Sequence, residues 1–180
     1  GWTGGWKFNH EIPTWRPDAA SPTQAPPIPA IPMANMVGGT SVHYGTQSWR
    51  FRADDFTVRT DTIARYGDEA LPPGSTTVDW PITYDDLEPY YDRVEYAIGV
   101  SGQGGANPFE SPRARDFPLP PLRDMGYSTM ISDTMSSLGY NPFPQPAAII
   151  SESYNGRPAC TYCGFCGAYG CWNDSKSSTL

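Results

Sequence analysis

The chain has 180 residues, a formal net charge of −7 and only two lysines, Lys7 and Lys176. That balance argues against nucleic acid, whose phosphates demand a basic surface. No apolar run approaches the about 20 residues that span a bilayer, and no basic-then-apolar signal peptide is present. The 18 glycines and 20 prolines exceed average usage, yet six Trp and 13% aromatic residues separate the chain from low-complexity disorder. Long ordered loops packed on aromatic anchors are the expected form. Residues 1–34 carry prolines at 13, 17, 22, 26, 27, 29 and 32, which forbid helix and favour extended backbone. Trp2, Trp6, Phe8 and Trp15 read as anchors of an arm lying on a larger body rather than as part of a flexible linker. Gly1-Trp2-Thr3-Gly4-Gly5 has no strand before it and no apolar helix after it, so it is given no phosphate-binding role.

Residues 35–82 open with the most informative motif, Val37-Gly38-Gly39-Thr40-Ser41-Val42-His43-Tyr44. Two adjacent glycines adopt positive φ without penalty and turn successive N–H groups outward, a nest suited to phosphate or other electron-rich groups. A titratable ring and a stacking surface follow at once. A tight turn with a satisfied polar histidine is the plainer reading of the same eight residues.

From Asp54-Asp55-Phe56 to Tyr66, apolar residues at 56, 63 and 66 predict a short helix ended by Gly67, and residues 71–82 read as loop. Residues 83–150 hold the best helix. Thr83 caps it, Asp85 and Asp86 complement its dipole, and Leu87, Tyr91, Val94 and Ile98 form one stripe before Gly99 stops it. Pro89 implies a separate first turn or a kink. Capping accounts for the Asp85–Asp86 pair without acid–base chemistry. A second helix is predicted over 128–138, with Ile131, Met135 and Leu138 as a core-packing stripe and Gly139 after it. Residues 141–146 are extended, and 147–150 form a short strand.

Residues 151–180 carry all four cysteines, Cys160, Cys163, Cys166 and Cys171, in a segment punctuated by Gly164, Gly167 and Gly170. Spacings of two, two and four intervening residues suit tight turns presenting thiolates to an iron–sulfur cluster. Structural zinc, two disulfides and free buried thiols remain open alternatives.

The run from Asn35 to Tyr44, then Ser48-Trp49-Arg50-Phe51 and Asp54-Asp55-Phe56, resembles the glucose–methanol–choline (GMC) oxidoreductase family, closest to gluconate 2-dehydrogenase flavoproteins. The segment from Trp80 to Tyr91, Asn107-Pro108-Phe109-Glu110 and the Cys-rich tail resemble the same branch in the same order. The resemblance implies an α/β fold, an incomplete FAD-binding Rossmann-like domain with part of a substrate domain, rich in loops. It implies a central fragment of an FAD-dependent dehydrogenase acting on the alcohol carbon of a sugar or sugar acid. Asn35, Val37, Gly38, Gly39, Thr40, Ser41, His43 and Tyr44 are then the cofactor contacts.

In some family members the histidine matching His43 carries the flavin covalently, while others keep Asn nearby and bind FAD without a bond. The family's catalytic His, with its His or Asn partner, lies further downstream, so no residue here is expected to be catalytic. Neither His10 nor His43 takes that place. Related sugar dehydrogenases carry a three-iron cluster on the matching Cys-rich segment, between the flavin and a cytochrome subunit. Their cysteine spacing differs, and Cys171 followed by Lys176 is the part that aligns. A small subunit, a cytochrome c acceptor and a periplasmic or membrane-associated setting through those subunits are further implications. A non-enzymatic Cys-cluster metal-binding or interaction module is the rival reading; it accounts for the cysteines but not for the Gly-Gly loop.

Overall fold

The computed structural model describes residues 16–22, 37–42, 44–167 and 169–177. Most of the Pro-rich arm, with His10, Asn35 and His43, lies outside the described residues. Three α-helices, α1 (Val58–Tyr66), α2 (Tyr84–Ile98) and α3 (Gly126–Ser137), are joined by long irregular segments and short 3₁₀ turns. Among the described residues β-pairing never extends beyond single bridges. The molecule is helical and loop-rich with little strand.

The helix expected before Gly67 forms in two pieces, a 3₁₀ turn at Ala53–Phe56 and then α1. Asp79, 20 residues downstream, caps α1 by accepting from the Arg59 and Thr60 N–H groups at 2.8 and 3.2 Å. Phe56 is buried between Phe51 and Trp80, with ring centroids 6.1 and 5.9 Å away.

α2 begins as its sequence requires. Thr83 accepts from the Asp86 N–H while Asp86 accepts from the Thr83 N–H, two end donors satisfied reciprocally. The helix runs through Pro89 as one element and ends where Gly99 turns left-handed, at φ 74°. Its buried face differs from the predicted stripe. Val94 is exposed and Leu87 only half-buried, whereas Tyr84 and Glu95 are buried. Arg50 is the cause. Its guanidinium grips Glu95 with two bonds of 2.8 Å and also donates to Tyr84 Oη and Glu88 Oε1 at 3.1 Å. Arg113 donates to Glu95 from the other side and to Glu110 at 2.6 Å. Burial opposes the charge on Arg50, but its bonds to Glu95, Tyr84 and Glu88 outweigh that and hold it more firmly protonated than an ordinary arginine.

On the flank of this network the Ala114 N–H, ahead of Arg50, holds Glu88 below the usual carboxylate range, and Arg115 does the same for Asp92. Both carboxylates are depressed on folding, so their stabilisation is full above the unfolded value and lost as pH falls through the folded one. The melting temperature should therefore hold steady down to about pH 5 and decline below about pH 4. Thermal unfolding across that range checks it, and a melting temperature that rises on acidification would refute it.

α3 starts two residues earlier than predicted, and its apolar stripe is not core. Ile131 and Leu138 are 53% and 66% exposed, and none of its residues is buried. The described core lies elsewhere, in Val100, Phe117 and Leu119 packed with the run Ala147-Ala148-Ile149-Ile150. The run expected as a short strand makes only isolated bridges, one with each neighbouring segment. Ala147 exchanges bonds of 2.8 and 2.9 Å with Ser101, Ala148 accepts from Ser177 and donates to Thr46, and Ile150 donates to Ser175 and accepts from Cys160. A four-residue spine therefore holds the end of the Gly-Gly segment on one side and the Cys-rich segment on the other.

Candidate functional site

Gly38 and Gly39 take the positive φ values the motif predicts, 83° and 54°, and the chain then closes into a 3₁₀ turn over Gly39–Val42. Ser41 Oγ donates back to the Gly38 carbonyl and fixes the turn. Val37 is 81% exposed and Thr40 is exposed. Among the described residues, its chain neighbours aside, nothing lies within 4 Å of where a Cβ on Gly39 would stand. The loop is thus shaped by positive φ on a face that the described residues leave open, as a backbone must be if a large ligand is to approach it closely. Asn35 and His43 lie outside the described residues.

Tyr44 leaves the loop inward. Its hydroxyl donates to the Ser177 carbonyl at 2.9 Å, and burial pushes its pKa up against the opposing charge of Arg157. Ser177 belongs to the Cys-rich segment, so the two sequence motifs meet in space. Lys176 strengthens the junction. It is 3% exposed, and its Nζ donates to the carbonyls of Cys166 at 2.6 Å and Tyr169 at 3.0 Å and reaches 3.5 Å from that of Tyr44. Gly170 allows the approach, since a Cβ there would stand 3.1 Å from Val42 Cγ1.

Arg157 ties down the end of the segment by donating to the carbonyls of Ile98 and Asp174 at 2.8 and 2.9 Å and to Ser177 Oγ at 3.0 Å. Neither it nor the Arg50–Glu95–Arg113 network was marked by spacing or motif. Arg50 does stand inside the Trp49-Arg50-Phe51 run, and glutamates seven residues apart on α2 were the available hint.

All four cysteines are free thiols, Cys163 exposed and Cys160, Cys166 and Cys171 half-buried. Among the described residues no three Cys, His, Asp or Glu side chains converge as a metal ligand set. The thiols differ in character. Burial raises Cys166, with Lys176 opposing. Burial also penalises the Cys171 thiolate, but the N–H groups of Lys176, Asn173 and Ser175 and the Ser175 hydroxyl together bring its pKa below that of an ordinary cysteine. Phe165 and Tyr169 meet edge to face at 5.8 Å, and Trp172 is largely exposed.

No family model matches the chain. Individual proteins do. It is 30% identical over 158 residues to the gluconate 2-dehydrogenase flavoprotein of Pantoea cypripedii, covering 78% of this chain and 26% of that protein. It is 35% identical over 130 residues to the fructose dehydrogenase large subunit of Gluconobacter japonicus, covering 71% and 21%. With paromamine 6'-oxidase of Streptomyces fradiae it shares 30% over 148 residues, covering 80% and 24%. The chain thus spans about a quarter of the length of these relatives.

Proposed function

We propose that the chain is part of a GMC-type oxidoreductase, like the sugar and sugar-acid dehydrogenases it matches, and that residues 35–44 cradle FAD in a dehydrogenase oxidising an alcohol carbon of a sugar or sugar acid. The observation that carries the proposal is the Gly38–Gly39 turn, positive in φ at both residues and, among the described residues, open where a Cβ on Gly39 would project. Its backbone suits the electron-rich parts of a dinucleotide, and the residues present fit the group. When bound, FAD supplies the acceptor for hydride from the alcohol carbon. This chain's own residues hold and orient. Gly38 and Gly39 give backbone access, Ser41 locks the turn through the Gly38 carbonyl, and Tyr44 anchors its far end to Ser177. The Rossmann-like reading of the whole fold, with a catalytic base supplied from outside these residues, belongs to the same proposal. So does contact of His43 and Asn35 with the flavin.

The Cys-rich segment abuts the FAD loop through Tyr44 and Lys176, which supports an electron exit on that side toward a small subunit and cytochrome acceptor. Cysteine spacing supports an iron–sulfur cluster there, and the arrangement of the thiols does not; no step is assigned to one.

An anaerobic absorbance spectrum of the full-length protein, before and after dithionite, tests the reading. A flavin band that bleaches is the expected result. Absence of any flavin would overturn the proposal. A shoulder beyond the flavin band would restore the cluster.

A further inference from the structure

Lys176 is an unusual buried charge. None of the described ion pairs includes it, although Arg50, Arg113 and Arg157 all find carboxylates. Its ammonium is instead held by main-chain carbonyls drawn from two separate parts of the chain: Cys166 and Tyr169 from the thiol turn, Tyr44 from the end of the Gly-Gly loop. The ring of Tyr44 lies 5.8 Å from the same nitrogen, within reach of a cation–π attraction. Carbonyl dipoles converging on one point repel each other unless a cation stands there, and each buried carbonyl left without a donor is costly. The charge is therefore what allows the two loops to close on one another. The backbone of Lys176 meanwhile pairs with Ile149 of the spine, so the side chain projects from a fixed base.

We propose that Lys176 is a positioning residue, an electrostatic latch whose ammonium keeps the Cys166–Cys171 turn closed against the loop that ends at Tyr44. Its bearing on electron exit rests on the flavoprotein reading above; the latch itself does not. Two neighbours make the state of the latch readable. Cys166 offers its own carbonyl to the ammonium, and the Cys171 sulfur faces the Lys176 N–H. Opening the turn exposes both sulfurs and removes the N–H groups around Cys171.

The test is iodoacetamide labelling of the full-length protein at pH 7, read at Cys166 and Cys171 by peptide mass spectrometry. Lys176→Met keeps the length of the stem and removes the charge; Lys176→Arg keeps the charge. At Cys166, which burial holds back, labelling in K176M is expected to rise about tenfold or more while K176R stays near the wild-type rate, as for a local opening rather than global unfolding. At Cys171 the gain in access is offset by loss of the N–H groups that favour its thiolate, so Cys166 is the deciding site. Wild-type rates in a folded K176M would reduce Lys176 to packing and overturn the latch. Should K176M fail to fold, acetylation of Lys176 in the wild-type protein decides. A rate about tenfold or more below that of a free lysine derivative is expected for an ammonium tied to three carbonyls, and an equal rate overturns the proposal. A wild-type protein without flavin would remove the electron-exit role and leave the labelling result standing on its own.

Discussion

Glu95→Ala is expected to destabilise the protein by about 3–5 kcal/mol, the range for removing one member of a buried ion-pair network. The cost follows from what is left behind. Glu95 is 4% exposed and sits between two guanidinium groups that are themselves almost fully buried. Without it Arg50 keeps Glu88 as its one carboxylate, beside Tyr84, and Arg113 keeps Glu110, beside the Arg115 carbonyl. Two positive charges then face each other in a space too small to hydrate them well. Glu95→Gln should lose less than Ala because it retains shape and one acceptor oxygen, yet still more than an exposed pair is worth, about 0–1 kcal/mol. Chemical denaturation of the wild type and both variants measures this. A loss below about 1 kcal/mol for Glu95→Ala would mean the network is effectively solvated.

The same residue shows why sequence reasoning went astray on α2. Hydrophobic periodicity picked Leu87, Tyr91, Val94 and Ile98, and three of the four were right in direction: Leu87, Tyr91 and Ile98 are partly buried, and Val94 is exposed. Tyr84, Glu88, Tyr91, Glu95 and Ile98 recur at the same helical spacing, so the period was legible and its phase was not. Phase was lost because a charged residue scores as surface unless its partner is known. Arg50 lies 45 residues away from Glu95, and Arg113 reaches in from the loop beyond the helix. Local signals did better. The Thr83–Asp86 capping box, the Gly99 stop and the Gly67 end each depend on a few neighbouring residues, and each is where the sequence puts it.

α3 is the opposite case. Its helix was visible in the pattern, but the inference that Ile131, Met135 and Leu138 pack into a core required knowing what lies against them. Within the described residues nothing buries them. The Gly-Gly loop and the Cys-rich segment were each legible as motifs, whereas their meeting was not. It depends on long-range contacts of Tyr44, Gly170, Lys176 and the spine at 147–150 that no motif specifies. Arg157 escaped notice for the same reason, being a lone arginine whose partners are mostly main-chain carbonyls.

Two glycines with left-handed backbones separate folding from cofactor binding, and the second large effect is expected at one of them. Gly99, at φ 74°, caps α2 with the Ile150 Cδ1 only 2.5 Å from where a Cβ would stand. Gly99→Ala should therefore cost about 2–5 kcal/mol of stability, overpacking added to left-handed strain, and leave flavin content per folded molecule unchanged. Gly39 has a similar backbone, φ 54°, but among the described residues open space in place of such a neighbour. Gly39→Ala should cost stability only the left-handed strain, about 1–2 kcal/mol. Flavin content per folded molecule should nonetheless fall about tenfold or more, because the methyl group then occupies the face across which the backbone must approach the ligand. Absorbance ratios of purified, folded protein measure both. Full flavin occupancy in Gly39→Ala would mean that the ligand meets the chain elsewhere. A loss of flavin in both variants alike would trace the effect to folding and not to the cradle. The proposal requires the two glycines to part company.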